Sequence, residues 1–278
     1  MGIFVRQFNA NGLASMEVSG IRSFGAGLLI TVALFLYKRA LLKIRLKDLW
    51  IFLGSGLLSV LCFNYCYFKT ISLTSMAVAG VLLYTSPIIV MLLSVLIFHE
   101  KLTLSKLLAL AVSFTGCVLV SGIIGGQAAV TPEGFITGLG AGLAYALYTI
   151  FSRFGLERGY HSLTIVAYTF MIAGIGILPL CDTDAIVQVL SKDVRLCLLA
   201  AVFAAVSTAA PYFLYTIALG YTESGKAAIM ASTEPVAAAV FGVVLFRERM
   251  TANVLLGIVC VLISLLILNI KLSEKRCT

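Results

Sequence analysis

Two ionisable residues lie inside long apolar stretches of this sequence, where a charge is costly. Glu234 directly precedes Pro235 in the stretch 226–246, and Arg22 lies in the stretch 18–37. Apolar surroundings favour the neutral form of a carboxyl group, so Glu234 is a candidate for binding and releasing a proton. Arg22 is a candidate for neutralising an anionic substrate or Glu234. Structural alternatives remain open: Glu234 bonds a neighbouring helix or lies near a surface, and Arg22 extends its guanidinium to a surface.

The residue types give little support for a metal site or for nucleophilic catalysis. The two histidines, His99 and His161, stand at the ends of apolar stretches, and the seven cysteines include no Cys-X-X-Cys pair. A catalytic site needs a nucleophile beside a base, or a cluster of metal ligands, and neither histidine has an evident partner. We therefore expect no cofactor, no metal and no enzymatic activity.

The elements that must position Glu234 and Arg22 are membrane-spanning helices. Hydrophobic residues make up 61% of the 278 residues and charged residues 12%, whereas soluble domains are about 45–50% apolar and about 25% charged. Runs of about 20 apolar residues cross a bilayer, and helices satisfy the backbone there. The sequence therefore predicts an all-α membrane protein. Nine complete runs lie at 18–37, 49–68, 76–98, 104–124, 134–152, 163–181, 194–219, 226–246 and 252–270.

An internal repeat organises these runs. The segment TSPIIVMLLSVLIFHEKLT (85–103) has a second copy, TEPVAAAVFGVVLFRERMT (233–251), 148 residues later, and Gly12 and Ser15 precede Gly159 and Ser162 by 147. This spacing predicts ten transmembrane helices in two five-helix repeats, with the first helix truncated. Because five is odd, the second repeat enters the membrane from the opposite side, which gives inverted topology. The predicted boundaries are 1–124 and 134–272 for the repeats, 125–133 for a linker and 273–278 for a short tail.

Basic residues predict the orientation of these helices. With both termini inside, thirteen of the twenty lysines and arginines fall on the cytoplasmic side and five outside, while Arg6 and Arg22 lie within spans. The positive-inside rule therefore predicts cytoplasmic termini in the cytoplasmic membrane. The cluster 38–47 carries most of this signal and is also a candidate for binding membrane lipid headgroups. The net charge of +8 is spread over short clusters between apolar runs, so no nucleic acid partner is expected.

The two copies of the repeated segment share matched features near their starts and at their ends. Pro87 and Pro235 are predicted helix interruptions, because proline removes a backbone donor and frees a carbonyl on the preceding turn; a packing bend is the alternative. Glu100 and Lys101 are expected to reach water, and Thr103 and Thr251 to cap the next helices. Inverted repeats with interrupted helices are typical of secondary transporters, which bind substrate near the interruptions.

These residues resemble the drug/metabolite transporter superfamily, in particular its EamA-type members. The resemblance is carried by EPVAAAVFGVVLFRERMTANVLLGIVCVLIS (234–264), by SPIIVMLLSVLIFHEKLTLSKLLALAVSFTGCVLV (86–120) and by AGLAYALYTIFSR (141–153). It implies ten helices around a central cavity that carries small organic solutes. In this family a first span with a Trp-Gly would precede Gly2, so the resemblance leads us to expect a truncated first helix. Residues on spans that line the cavity in this family, some of which have packing or interface-belt roles as alternatives, are Asn64, Tyr84, Tyr145, Tyr148, Tyr212, Tyr215 and Ser232.

The sequence thus predicts a secondary transporter that exports amino acids or related metabolites by alternating access, with possible proton coupling through Glu234 and Arg22. No ATP-binding Gly-X-X-X-X-Gly-Lys-Ser/Thr loop occurs. The alternatives are a non-transporting membrane sensor or assembly subunit and, less favoured, an intramembrane enzyme. The sequence indicates no oligomeric state.

Overall fold

The computed structural model describes residues 2–121, 123, 131–246 and 251–269. Within these ranges the regular structure is entirely helical, which confirms the all-α prediction. Most of the predicted linker at 125–133, the whole tail at 273–278, and Glu248 of the second repeated segment lie outside the described residues.

The helices are set by apolar runs and by the polar, glycine or proline residues between them. Three of them contain irregular turns: π-helical turns at Gly54–Leu61 and Ala205–Ala209, and 3₁₀ turns at Leu46–Asp48 and Leu178–Leu180. In the described ranges their bounds are α1 Gly2–Ala10, α2 Ser15–Tyr37, α3 Leu46–Leu73, α4 Met76–Leu83, α5 Ser86–Phe98, α6 Leu104–Val120, α7 Pro132–Glu157, α8 Ser162–Leu180, α9 Thr183–Lys192, α10 Val194–Tyr221, α11 Ser224–Ala231, α12 Glu234–Phe246 and α13 Ala252–Asn269.

Six helical segments of the described chain are long and apolar enough to cross a membrane. They are α2, α3, α4 with α5, α7, α8 and α10, while α6 and α13 are shorter apolar helices. The predicted N-caps are confirmed, since the hydroxyl of Thr103 accepts from the amide of Lys106 at 3.3 Å and that of Thr251 from the amide of Val254 at 3.4 Å. The count of ten spans stays a prediction.

Two interruptions divide otherwise continuous apolar segments. Helix α4 ends at Leu83 and α5 begins at Ser86, with Pro87 in its first turn. Helix α11 ends at Ala231 and α12 begins at Glu234, directly before Pro235. Proline is favoured in the first turn of a helix because its missing N–H has no intrahelical acceptor there. Both interruptions therefore end one helix and start the next.

The chain forms two compact units, and each combines segments from both halves of the sequence. Unit 1 contains residues 1–68 and 147–221, and unit 2 contains residues 69–146 and 222–278. In unit 2, α6 packs on α13 where Gly116 and Gly257 meet: a methyl group on either glycine would lie within 2.8 Å of the other's carbonyl oxygen. The absence of side chains there lets the two backbones approach.

Unit 1 is organised around a reciprocal contact between α2 and α8. Gly27 of α2 lies against the backbone of Met171, and Gly174 of α8 lies against the backbone of Phe24, so a methyl group on either glycine would overlap the opposite helix. Gly27 and Gly174 are 147 residues apart, and so are Phe24 and Met171. The two helices therefore make equivalent contacts with each other, each through one glycine.

Several helix ends repeat at this spacing as well. Helices α1 and α7 end 147 residues apart, each followed by a left-handed glycine, Gly12 at φ 92° and Gly159 at φ 82°. The amide of Leu13 bonds the carbonyl of Phe8 at 3.2 Å, and the amide of Tyr160 bonds the carbonyl of Gly155 at 3.1 Å. Only glycine adopts this conformation at little cost. Helices α5 and α12 both begin and end 148 residues apart.

Candidate functional site

Arg22 and Asn64 form a buried polar pair inside unit 1. The side chain of Arg22 on α2 is 5% exposed, and its Nη2 donates to Oδ1 of Asn64 on α3 at 2.8 Å. Asn64 is 1% exposed and donates from Nδ2 to the carbonyl of Val60 at 2.7 Å. The guanidinium is thus held inside the protein and does not reach for a surface. Asn64 stands three residues beyond the π-helical turn of α3, a type of irregularity that is frequent at functional sites.

The predicted tyrosines of unit 1 join α7 to α10 by two reciprocal hydrogen bonds. The hydroxyl of Tyr148 lies 2.7 Å from Oγ1 of Thr216, and the hydroxyl of Tyr215 lies 2.8 Å from Oγ1 of Thr149. The ring of Tyr212 packs edge-on against Tyr148 with centroids 4.8 Å apart. Each helix therefore contributes one tyrosine and one threonine to a satisfied polar network, which rigidifies a packed interior.

The two threonines were missed by the sequence reasoning. A signal was present, because Tyr148-Thr149 and Tyr215-Thr216 are identical dipeptides on α7 and α10. Adjacent residues on a helix point about 100° apart, so two such dipeptides on facing helices can exchange hydroxyl partners.

The predicted residues of unit 2 gather at the two helix interruptions. Tyr84 is half-buried at the end of α4, and Ser232, 4% exposed, lies between α11 and α12. Pro87 and Pro235 are buried, whereas Glu234 is exposed as the first residue of α12. An acidic residue in the first turn is favoured by the helix dipole.

At both interruptions, a threonine hydroxyl donates a hydrogen bond to a backbone carbonyl of the preceding helix. Oγ1 of Thr85 donates to the carbonyl of Leu82 at 2.6 Å, and Oγ1 of Thr233 donates to the carbonyl of Met230 at 2.9 Å. Both bonds run three residues back, and the two threonines are 148 residues apart. The interruptions are therefore polar positions inside apolar segments, and their local hydrogen bonds are already made.

Helix α7 lies against the first of these interruptions. A methyl group on Gly142 would lie 2.6 Å from Oγ1 of Thr85 and 3.0 Å from the carbonyl of Leu82. Tyr145, the remaining predicted substrate residue, is half-buried on the next turn of the same helix. Tyr145 therefore lies on α7 three residues after Gly142, the residue that contacts the interrupted segment 76–98.

Glu100 is partly exposed, as its expected contact with water requires, and it also accepts hydrogen bonds from backbone amides. Its Oε1 accepts from the amide of Ser224 at 2.7 Å and its Oε2 from the amide of Gly225 at 3.2 Å, at the N-terminus of α11. Burial acts to raise the pKa of Glu100, but these amide hydrogen bonds outweigh it and hold the pKa below its ordinary value. Beside it, the buried Lys106 pairs with Glu223 at 2.6 Å. These ionic contacts fix the start of the second interrupted segment.

Among the described residues, no group of three or more His, Cys, Asp or Glu side chains could hold a metal ion. The predicted site residues supply hydroxyl groups, the amide of Asn64, the guanidinium of Arg22 and the carboxyl of Glu234, which are groups that can bind polar solutes.

Comparison with known proteins gives a consistent result along the chain. The model of the EamA-like transporter family matches residues 1–122 and 132–270. An uncharacterized transporter of Archaeoglobus fulgidus is 29% identical over 220 residues, which are 76% of this chain and 75% of that protein. A second uncharacterized transporter of that organism is 23% identical and covers 94% of this chain and 91% of its own. The uncharacterized transporter YetK of Bacillus subtilis is 22% identical over 92% of this chain and 78% of its own.

A solved structure supports the fold alone. A crystal structure of a protein with 14% sequence identity covers 94% of this chain and 90% of that chain with a TM-score of 0.75. The apolar helices, the paired proline-containing segments and the family match over both halves agree with the resemblance inferred from the sequence. The chain is a multi-pass membrane protein and belongs to the EamA-like transporter family.

Proposed function

We propose that the protein is a secondary transporter that moves small organic solutes across the cytoplasmic membrane by alternating access. Amino acids or related metabolites are the proposed substrates, and export is the proposed direction. The observation that carries the proposal is the pair of interrupted segments, Met76–Phe98 and 224–246, broken at positions 148 residues apart. Discontinuous helices at corresponding positions of two halves are the best pointer to a transporter's binding site.

The proposed architecture is ten transmembrane helices in two inverted five-helix repeats, with repeat boundaries at 1–124 and 134–272. Support comes from the constant spacing of structural details: the left-handed glycines Gly12 and Gly159, the reciprocal Gly27 and Gly174 contact, and the equal bounds of α5 and α12. Helix α9 corresponds to residues 36–45 of the first half, where the structure has a short 3₁₀ turn at Arg39–Leu42. In this scheme α4 with α5, and α11 with α12, each count as one span.

The proposed substrate contacts are the polar side chains already located in each unit. In unit 2 they are Tyr84, Tyr145 and Ser232, close to the interruptions. In unit 1 they are Asn64, Tyr148, Tyr212 and Tyr215, whose present hydrogen bonds lie within the protein. A substrate reaches the unit 1 hydroxyls only if α7 and α10 separate, and alternating access supplies such a step.

We assign proton coupling to Glu234 and charge compensation to Arg22. Glu234 carries the only carboxyl within the segments 76–98 and 224–246. A carboxyl group there can change protonation state as its surroundings alternate between water and an apolar environment. The guanidinium of Arg22 remains charged under all conditions of interest, so it favours an anionic substrate group or an anionic partner.

Flux through the purified protein tests this function. Liposomes containing the protein are preloaded with radiolabelled amino acids, one at a time, and efflux is followed with and without an inward proton gradient. Tyr84→Phe removes one hydroxyl at an interruption, and Tyr221→Phe, at an 89% exposed position, is the matched control. The loss of one hydrogen bond of ~1 kcal/mol should raise the half-saturating concentration about fivefold in Tyr84→Phe only.

Two outcomes would count against the proposal. No protein-dependent flux of any amino acid or related metabolite would favour a membrane sensor or an assembly subunit. Equal half-saturating concentrations in Tyr84→Phe and the parent protein would remove Tyr84 from the substrate site.

A further inference from the structure

An apolar groove on unit 1 opens at its end into a basic pocket. The groove lies along the second half of α2 and the start of α8, has a volume of about 390 Å³, and is lined by residues such as Leu29, Ala33, Tyr37 and Leu163. The basic pocket, of about 220 Å³, is lined by Lys43, Arg45, Arg158, Tyr160 and Thr164 among others. Leu41 and His161 line both cavities, so the two adjoin.

Local bonds fix the wall of the basic pocket. The guanidinium of Arg158 pairs with the carboxylate of Asp48, which is 3% exposed. The hydroxyl of Tyr160 donates to Oδ2 of Asp48 at 2.7 Å and accepts from the backbone amide of Arg45 at 3.0 Å. The backbone at Arg45 is thus held in place on the wall, and the charge of Arg158 is already balanced by Asp48.

Two further basic side chains of the pocket add positive charge beyond the single negative charge of Asp48, with which Arg45 also interacts. Lys43 and Arg45 are exposed, and none of the ion pairs among the described residues uses either side chain. Lys38 adds a third exposed positive charge where the groove meets the pocket. The pocket is therefore complementary to an anion, and arginine and lysine are the residues that recognise phosphate.

The apolar lining of the groove indicates the remaining, apolar part of that ligand. Its lining is almost wholly apolar, and it runs along α2, a helix that can cross a membrane, so the molecules that meet it are acyl chains. Tyr37, 86% exposed at the end of α2, has the place of an interfacial aromatic residue. We propose that unit 1 binds an anionic phospholipid, with an acyl chain in the groove and its phosphate against Lys43 and Arg45. The positive-inside rule predicts that this is the cytoplasmic leaflet, whose anionic lipids attract such clusters.

The test compares lipids of different headgroup charge on the purified full chain in detergent. Phosphatidylglycerol or phosphatidylcholine with identical acyl chains is added at increasing concentration, and bound lipid is counted by native mass spectrometry. The variant Lys43→Gln/Arg45→Gln removes two charges from the pocket. The matched control is Lys192→Gln/Arg195→Gln, which removes the same charge from two exposed positions elsewhere on unit 1. Ala33→Trp fills the apolar groove and leaves every charge in place.

The parent protein should retain phosphatidylglycerol in preference to phosphatidylcholine. The pocket variant should lose about 30-fold of this preference, which is ~2 kcal/mol for two basic residues near a lipid phosphate. The control variant should keep the preference, and Ala33→Trp should weaken binding of both lipids. Equal retention of the two lipids by the parent protein would overturn the proposal. So would an equal loss in the control variant, or displacement of phosphatidylglycerol by millimolar inorganic phosphate, which would reveal a simple anion site.

Discussion

Replacement of Gly27 or Gly174 by alanine tests the closest helix contact of unit 1. In each case the new methyl group meets backbone atoms of the opposite helix, Met171 for Gly27 and Phe24 for Gly174. Backbone atoms cannot rotate away as a side chain would, so α2 and α8 must separate or one must shift. Overpacking of this kind costs ~1–3 kcal/mol, and we take the upper end because the obstacle is backbone.

Alanine also brings a gain that must be subtracted. In a helix interior it is ~1 kcal/mol more favourable than glycine. The expected net loss in the free energy of unfolding is therefore ~2 kcal/mol for Gly27→Ala and a similar amount for Gly174→Ala. The double variant should lose less than the two single losses together, because once the helices have moved apart the second methyl group finds space, and neighbouring sites couple in this way.

Reversible unfolding of the purified protein in mixed micelles measures these losses. Gly220→Ala is the matched control, because a methyl group on Gly220 of α10 would meet no atom within 4 Å. It should stabilise the protein by up to ~1 kcal/mol. A stabilising effect of Gly27→Ala equal to that of the control would refute the close approach. A large loss in one single variant with none in the other would refute its reciprocal character.

Three further predictions concern charge. Glu234→Gln should reach the membrane in normal amounts but lose most of its flux or the pH dependence of that flux in proteoliposomes, whereas Asp184→Asn, which alters an exposed carboxyl on α9, should retain both. A single cysteine at Lys43 should be protected from a membrane-impermeant thiol reagent added to intact cells and one at Asp182 should react; the reverse pattern would contradict the predicted orientation. Glu100→Gln should destabilise the protein by ~2 kcal/mol at pH 7, since charge-assisted hydrogen bonds to α11 are weakened. Folding lowers the pKa of Glu100 from 4.5, so the stabilising contribution of its carboxylate is present above pH 4.5 and is lost as pH falls through the folded-state pKa. If the unfolding free energy of Glu100→Gln fell as steeply in that pH range as that of the parent protein, the assignment would be contradicted.

The membrane-spanning helices were largely predictable because long apolar runs form them. The runs at 18–37, 76–98 and 163–181 lie within or close to helices of the structure. The amphipathic helix α9 was not predicted, since Thr183–Lys192 is short and mixes polar with apolar residues. Its N-cap is visible afterwards: Oδ1 of Asp182 accepts from the amide of Ala185 at 3.0 Å. Short surface helices of this kind depend on capping and local contacts that periodicity alone does not reveal.

The candidate residues could be chosen from the sequence, but their hydrogen-bond partners could not. Arg22 and Asn64 were each identified from position, yet their hydrogen bond joins residues 42 apart in the chain and follows from the packing of α2 on α3. The hydrogen bonds of Glu100 were missed for the same reason, because its partners, the amides of Ser224 and Gly225, lie more than 120 residues away. A sequence shows which groups need partners, and the tertiary fold decides which partners they meet.

The hydrogen bonds of the two units differ in how readily a substrate could replace them. In unit 1 the Tyr148–Thr216 and Thr149–Tyr215 bonds join two helices, so a ligand can compete for them only if the helices part. In unit 2 the hydroxyls of Thr85 and Thr233 bond carbonyls of their own chain only three residues back. A rotation about one side-chain bond frees one acceptor position on such a carbonyl, which keeps its bond from the backbone amide of the same threonine at 3.2 Å. A substrate N–H or O–H can replace the lost hydroxyl bond. This difference favours the interruptions over the tyrosine network as the first point of contact for the proposed substrate.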